Sequence, residues 1–384
     1  MRIEQVRRGY RFKLKTTPDT ERVLRVMAGH TRFVWNKALR LNLDRLDRGV
    51  PILWYADLCG LLRLWKQSEE YGFLAEAHSQ VLQQKLKDLD RAFSDASDKN
   101  QPLKKLPRFK KKGRNDSFRF PQGVRVENRR VYLPKVGWVG FHKSRDIPGA
   151  IKQAAVVREA DGWYVAFQVE FEIPDPVPWT APVIGVDRGV NVFAATSEGE
   201  LVEPLNALKQ KLSRLAQLQR QLSRKKKFSK NWRKAKGRIA RLHQKIARMR
   251  HDFLHKLSAR LSKSHATVAL EELSVRNMTR SAKGTIENPG RNVKAKSCLN
   301  RAILDQGWSA FARMLEYKLT ERGGRLLFVP APGSSQTCST CGCIDPANRL
   351  SRDLFRCTAC GHTEHADVNA ARVILQRGLG KLAA

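Results

Sequence analysis

Residues 336–375 read QTCSTCGCIDPANRLSRDLFRCTACGHTEHADVNAARVIL, and two kinds of chemistry stand side by side in that stretch. Cys338 and Cys341 form one Cys-x-x-Cys pair, and after fifteen residues Cys357 and Cys360 form a second. Thiolates are soft ligands, two intervening residues let one turn present both sulfurs, and two such knuckles complete a tetrahedron around Zn2+. With all four positions filled by protein the metal is expected to be structural, contributing on the order of 10 kcal/mol to folding of a small module. Cys343 and His362 are nearby competitors; Cys341-Gly342-Cys343 would be a cramped chelate, which favours Cys343 as a bystander. Cys59 and Cys298 stand alone and read as inert. Just past the second knuckle, Asp367 opens an Ala- and Val-rich helical run.

Two more apolar runs end in acids. VIGVDRGV reads as a strand ending at Asp187, and HATVALEEL as a buried strand ending in Glu271 and Glu272. Strand, strand and helix are the elements on which an RNase H-like sheet brings distant carboxylates together. Three hard oxygen ligands at one sheet edge can hold two Mg2+ ions about 3.5–4 Å apart for in-line hydrolysis of a phosphodiester. Any one of these acids alone would read as a cap or turn residue; their joint placement carries the argument.

The composition points to the same substrate. The 384 residues hold 73 Lys and Arg against 36 Asp and Glu, a net charge of +37, with a pI near 10.5. Such uncompensated charge calls for a polyanion. A membrane partner is disfavoured, because no apolar run approaches the roughly 18 residues of a spanning helix. The opening MRIEQVRRGYRFKL has no signal-peptide core. Seven cysteines, four of them in metal-type spacing, indicate a reducing compartment, so the expected location is the prokaryotic cytosol or nucleoid.

The rest of the chain falls into blocks. Residues 8–17 alternate Tyr10, Phe12 and Leu14 with basic side chains, as a half-buried strand does. A helical module follows: Leu24, Met27, Phe33, Val34, Leu39, Leu43 and Leu46 recur at helical spacing up to Gly49, a second helix holds Leu53 to Trp65, and a third starts at Ser79. Residues 99–120, KNQPLKKLPRFKKKGRNDSFRF, are basic and interleaved with Phe109, Phe118 and Phe120, a combination suited to phosphate contact and base stacking. Short strands are expected at 124–126, 131–133 and 136–141, then a hairpin turning at Asp161-Gly162. With the N-terminal strand these would close a small barrel into which the helical module is inserted. The Pro-rich stretch 172–182 reads as a domain boundary. Residues 206–262 read as a basic antiparallel helical hairpin whose only acid is Asp252. A loose Gly/Asn/Lys loop, a helix over 300–322 and a strand over 325–332 complete the pattern.

The chain resembles the TnpB family, the insertion-sequence-encoded relatives of type V CRISPR effector nucleases. The likeness spans nearly the whole length, through GYRFKLKTTPDTE, TRFVWNKALR, GVDRGV, the run from Leu222 to Ser258, VALEELSVRNM, SSQTCSTCG and CTACGHTEHADVNAA. It implies an α+β multidomain protein: a RuvC/RNase H-like nuclease domain with a zinc-ribbon insert, plus a β-barrel wedge domain interrupted by a helical recognition domain. The implied boundaries are wedge 1–18 and 101–178, recognition domain 19–100, nuclease 179–334 and 363–384, and zinc ribbon 335–362. Asp187, Glu271 and Asp367 fall on the three RuvC motifs, with Glu272 where the family usually has Asp or Asn. The chain stops soon after the last motif, without the long tail of some members.

The resemblance also implies the partners: a guide RNA from the transposon end, double- and single-stranded target DNA, two Mg2+ ions, a structural Zn2+, and one or two copies of the protein on the RNA. Strand transfer is disfavoured, because no His-x-His pair is present and the acids run Asp-Glu-Asp, not Asp-Asp-Glu. The alternative is a non-catalytic nucleic-acid-binding regulator or accessory protein of transposition.

Overall fold

The computed structural model describes residues 3–114, 116–174 and 182–383. They divide into two units, one ending at Pro174 and the other beginning at Asp175. The centre of the expected Pro-rich boundary, residues 175–181, lies outside the described residues.

The first unit opens with β1 (Ile3–Lys15), then α1 (Pro18–Asp47), α2 (Tyr55–Gln67) and α3 (Ser79–Ser97). Strands β2 (Ser117–Phe120), β3 (Arg125–Glu127), β4 (Arg130–Leu133), β5 (Gly137–Phe141), β6 (Ala150–Glu159) and β7 (Gly162–Pro174) follow. They make one seven-stranded sheet, β2-β6-β7-β1-β5-β4-β3. β1 is its joint: it pairs with β7 from Ile3↔Pro174 to Lys13↔Tyr164 and with β5 only at Leu14↔Phe141 and Lys15↔Gly140. The terminal strands β2 and β3 do not pair among the described residues, so the expected barrel is not closed by hydrogen bonds there. Phe12, Phe118, Leu133, Phe141 and Phe167 nonetheless share one core, so the sheet curls round its own interior.

Thr17 caps α1 by accepting from the Thr20 amide, and Pro18 fits the first turn, where its missing N–H has no partner to lose. Leu24, Met27 and Ala28 on α1 join the sheet core. Farther along the same helix, Val34, Trp35 and Leu39 join the helical core with Leu58, Leu82, Leu86 and Phe93. One helix therefore roots the inserted module in the sheet. The aromatic reading of the basic segment is corrected in part: Phe118 and Phe120 lie in the sheet core, and only Phe109 is exposed. The signal was the alternation Ser-Phe-Arg-Phe, which buries every second residue of β2. The segment is also pinned, with Trp35 Nε1 donating to the Arg108 carbonyl at 3.0 Å. The hairpin turn sits one residue earlier than expected, since Glu159 pairs with Gly162 around Ala160-Asp161.

The second unit contains β8 (Val183–Asp187), β9 (Ala194–Thr196), β10 (Leu201–Val202), α4 (Leu212–Ser223), α5 (Lys230–Ser264), β11 (Thr267–Glu271), α6 (Val275–Met278), α7 (Val293–Gln306), α8 (Trp308–Thr320), β12 (Arg325–Val329), β13 (Leu354–Arg356), β14 (Thr363–His365) and α9 (Ala366–Ala383). Its sheet runs β10-β9-β8-β11-β12. β11 is parallel to β8 and β12, and β9 is antiparallel to β8.

Period-two alternation sorts the residues of the parallel strands between the faces. Ile184, Val186, Val268 and Leu270 pack with Leu254, Leu257 and Leu261 of α5 and Phe311 and Leu315 of α8. Each such side chain contributes roughly 1.5–3 kcal/mol by burial. The alternate residues, Gly185 with Asp187 and Ala269 with Glu271, fall on the other face. There Ala269 packs with Val329 and with Ile374 of α9. A Cβ at Gly185 would lie 2.2 Å from the Ala371 carbonyl oxygen, so glycine is what lets α9 lie against β8.

The hairpin α4–α5 forms as expected, with Leu215 and Leu218 buried on α4. Asp305 holds its base, accepting from the Leu208 amide at 2.9 Å and from Arg250 at 2.5 Å. The single helix expected over 300–322 is two: Gly307, at φ +75°, breaks it between α7 and α8. α7 also takes in Val293–Lys296, which had read as part of the loose loop. The tip of that loop is a closed turn, with Thr285 N–H donating to the Asn288 carbonyl at 3.0 Å.

Candidate active site and metal centre

The strand parity and the close approach of α9 bring three acids to one place. Asp187 ends β8, Glu271 ends its parallel neighbour β11 in register, and Asp367 is the second residue of α9. All three line one cleft of about 350 Å³ with Ser334, Arg349 and Arg352. Glu271 is 7% exposed, whereas Glu272 is exposed, so parity selects between the adjacent glutamates.

The surroundings of these acids are polar and directed. Ser334 donates its hydroxyl to Glu271 Oε1, and Arg188 donates to the Glu271 carbonyl. Arg349 Nη2 reaches Asp367 Oδ1 at 3.2 Å, and the Asp367 amide donates to His365 Nδ1 at 3.2 Å. Burial, then the charges of Glu271 and Asp367, push the Asp187 carboxyl up to about 7. Burial also raises Glu271, against the Ser334 hydrogen bond and the charge of Arg188. Burial and mutual repulsion disfavour the charged form of Asp187, and carboxylate oxygens are the hard donors that a divalent cation such as Mg2+ takes. Sequence reasoning missed Ser334, Arg349 and Asn369. None belongs to a periodic pattern, although Ser334 stands inside SSQTCSTCG and Asn369 inside CTACGHTEHADVNAA.

The second cluster is the cysteine quartet. The sulfurs of Cys338, Cys341, Cys357 and Cys360 all lie within 4.8 Å of one another, the only such cluster of potential ligands among the described residues. Cys338–Cys360 and Cys341–Cys357 are 3.7 and 3.5 Å apart, close to the ~3.8 Å edge of a tetrahedron with Zn–S bonds of about 2.3 Å. The Thr340 and Cys360 amides point at the Cys338 and Cys357 sulfurs from 3.4 and 3.5 Å. The donors therefore fit Zn2+, while Cys343 and His362 are outside the cluster. Buried Asn348 joins the knuckles, donating to the Gln336 carbonyl at 2.9 Å and accepting from the Thr358 amide at 2.8 Å. Asn369 then ties the first knuckle to α9 through Ser339 and Thr337, at 2.9 and 2.8 Å.

Among the described residues no helix is long and apolar enough to cross a membrane.

Family models match three parts of the chain. "Probable transposase" matches residues 166–282, "Cas12f1-like, TNB domain" residues 308–374 and "Helix-turn-helix domain" residues 1–49. The last description does not fit the fold, because that range holds a strand and one uninterrupted helix. "Putative RNA-guided DNA endonuclease InsQ" of Escherichia coli K12 is 45% identical over 377 residues, covering 98% of this chain and 93% of that protein. A "Putative RNA-guided DNA endonuclease" of Streptomyces pristinaespiralis is 33% identical, covering 98% of this chain and 90% of that protein. The solved Cas12f1–sgRNA–target DNA complex shares the fold, with a TM-score of 0.56 at 15% identity over 93% of this chain and 83% of that one. Identity of 45% along almost the full length of a relative, together with the matches to the "Probable transposase" and "Cas12f1-like, TNB domain" models, establishes that the chain belongs to the TnpB family.

Proposed function

We propose that this protein is an RNA-guided DNA endonuclease that hydrolyses phosphodiesters at the Asp187–Glu271–Asp367 cleft. The observation that carries the reading is the convergence of those three acids at one end of the sheet, on the face covered by α9. The strand order, three antiparallel strands followed by two parallel ones, supports the RNase H-like assignment. The names of the relatives support a guide RNA and a DNA target, as does a net charge of +37.

In this reading Asp187, Glu271 and Asp367 hold two Mg2+ ions. When bound, the ions would activate water and stabilise the leaving oxygen. The chain's own groups do the positioning. Ser334 fixes one oxygen of Glu271, so that the other faces the cleft. Arg188 fixes the end of the strand that carries Glu271. Arg349 and Arg352 put positive charge where a phosphate enters. The four cysteines hold Zn2+ in a purely structural role, fixing the insert that delivers Arg349. The target-adjacent DNA motif, the transposon-end origin of the guide and the cytosolic location belong to the same proposal.

Asp187→Ala tests it. The purified variant should retain co-purifying RNA and DNA binding and lose cleavage. If it cut DNA as fast as the parent, the nuclease assignment would fail and the regulator reading would replace it.

A further inference from the structure

The tip of the α4–α5 hairpin carries a feature that phosphate contact alone does not use. Phe228, in the turn before α5, is 71% exposed. Its ring lies 5.5 Å from that of Trp232, tilted by 52°, and Lys236 Nζ is 5.1 Å from the Trp232 ring. Lys225, Lys226 and Lys227 are exposed on the approach, and no acid occurs in the sequence between Glu203 and Asp252. The turn does not need the ring. Ser229 closes it, donating its amide to the Lys226 carbonyl at 3.2 Å and accepting from the Trp232 amide at 3.1 Å. Phe228 also has φ +66°, a left-handed conformation that glycine adopts freely and phenylalanine does not.

An exposed aromatic pair in a one-sign field of cations matches a polyanion that has flat apolar faces. We propose that the Phe228–Trp232 tip stacks on an unpaired nucleobase of the guide RNA, while the neighbouring lysines hold the flanking phosphates. The inference rests on the RNA-guided reading above. Folded RNA presents unstacked bases in loops and bulges, which aromatic side chains take up. The tip is also remote from the cleavage centre. α5 has 35 residues, about 50 Å at 1.5 Å per residue. Even if the link His265–Ala266 and β11 ran straight back along it, those seven residues would recover only about 23 Å. The tip therefore stands more than about 25 Å from Glu271, and meets a part of the nucleic acid away from the scissile bond.

The test uses the full chain with the RNA that purifies with it. Ultraviolet crosslinking should attach a nucleotide to the segment 225–236. Chemical probing should find one unpaired base protected in the parent and reactive in Phe228→Gly. That variant should bind the RNA roughly tenfold more weakly, the effect of losing one stacked base. It should melt no lower than the parent, because glycine suits the backbone. Phe228→Trp should restore binding. Unchanged affinity and footprint in Phe228→Gly would overturn the proposal. So would a loss seen only with single-stranded DNA, or only with phosphatidylserine vesicles. If no RNA purifies with the parent, the RNA-guided reading falls and the tip with it; if RNA is present and Phe228→Gly keeps its full affinity, only the tip falls.

Discussion

Arg349 belongs to the cysteine-bearing insert, yet its Nη2 lies 3.2 Å from Oδ1 of Asp367, across the carboxylate cleft wall. The two side chains are 31% and 20% exposed, so the ion pair adds less than about 1 kcal/mol to stability. A positive charge in the cleft is worth far more to a reaction that develops negative charge on phosphate oxygens. Arg349→Ala should therefore slow DNA cleavage roughly 100-fold or more while lowering the melting temperature by less than about 4 °C. Arg349→Lys should recover only part of the rate, since one ammonium cannot reproduce the fork. Parallel losses of rate and melting temperature would make the residue structural.

Asn369 couples the insert to the last helix. It is fully buried, accepts from the Ser339 amide and donates to the Thr337 carbonyl, on either side of Cys338. Asn369→Ala would bury both backbone groups without partners, at roughly 1–3 kcal/mol each. Melting should fall by several degrees, and Zn2+ should pass faster to a chromogenic chelator. Release at the parental rate would mean that the first knuckle holds its shape without α9.

The acids were legible in the sequence because each closes an apolar run or opens a helical one, and such runs have periods that can be read. The choice of Glu271 over Glu272 rests on the family resemblance, and the strand parity agrees with it, since Val268 and Leu270 face α5 and α8. The cysteine spacing was legible for a similar reason: a chelate needs a fixed local geometry. Ser334, Arg349 and Asn369 act through partners 63, 18 and 30 or more residues away, and no local pattern announces a contact of that kind. Phe118 and Phe120 were obscured by the lysines before them, whose charge masked a short buried strand. Gly307 was hidden because the residues on both sides of it keep helical spacing.

Asp187 makes the proposed Mg2+ site sensitive to pH. Its carboxyl is pushed up to about 7 by burial first and by Glu271 and Asp367 next, whereas the unfolded chain titrates near ~3.9. Between those values the folded state keeps a proton that the unfolded state has lost. Without divalent cation, stability should fall as pH rises from about 4 to about 7, and level off above. Cation and proton compete for the same oxygens. Mg2+ affinity measured by calorimetry, and cleavage at limiting Mg2+, should drop as pH falls below about 7, with excess Mg2+ restoring the rate. Asp187→Asn should remove this contribution and melt higher than the metal-free parent at pH 8. An affinity for Mg2+ that stayed flat from pH 6 to pH 8 would contradict the argument.

Gly185 is the test of how tightly α9 must sit for Asp367 to be useful. A methyl group there would fall 2.2 Å from the Ala371 carbonyl oxygen and 2.6 Å from the Leu375 amide nitrogen. Both atoms are backbone, so no side chain can rotate away and the helix itself must move. Overpacking of this kind costs roughly 1–3 kcal/mol. The shift is passed to Asp367, one turn before Ala371, and a displacement near 1 Å at a reacting centre can cost about 100-fold in rate. Gly185→Ala should thus melt several degrees lower and cleave about 100-fold more slowly, with RNA binding unchanged. Gly380, on the same helix, has nothing within 4 Å of an added Cβ, and alanine there should be neutral or stabilise by up to about 1 kcal/mol. Equal cleavage by the two alanine variants would show that the acids do not depend on the close seating of α9 against β8.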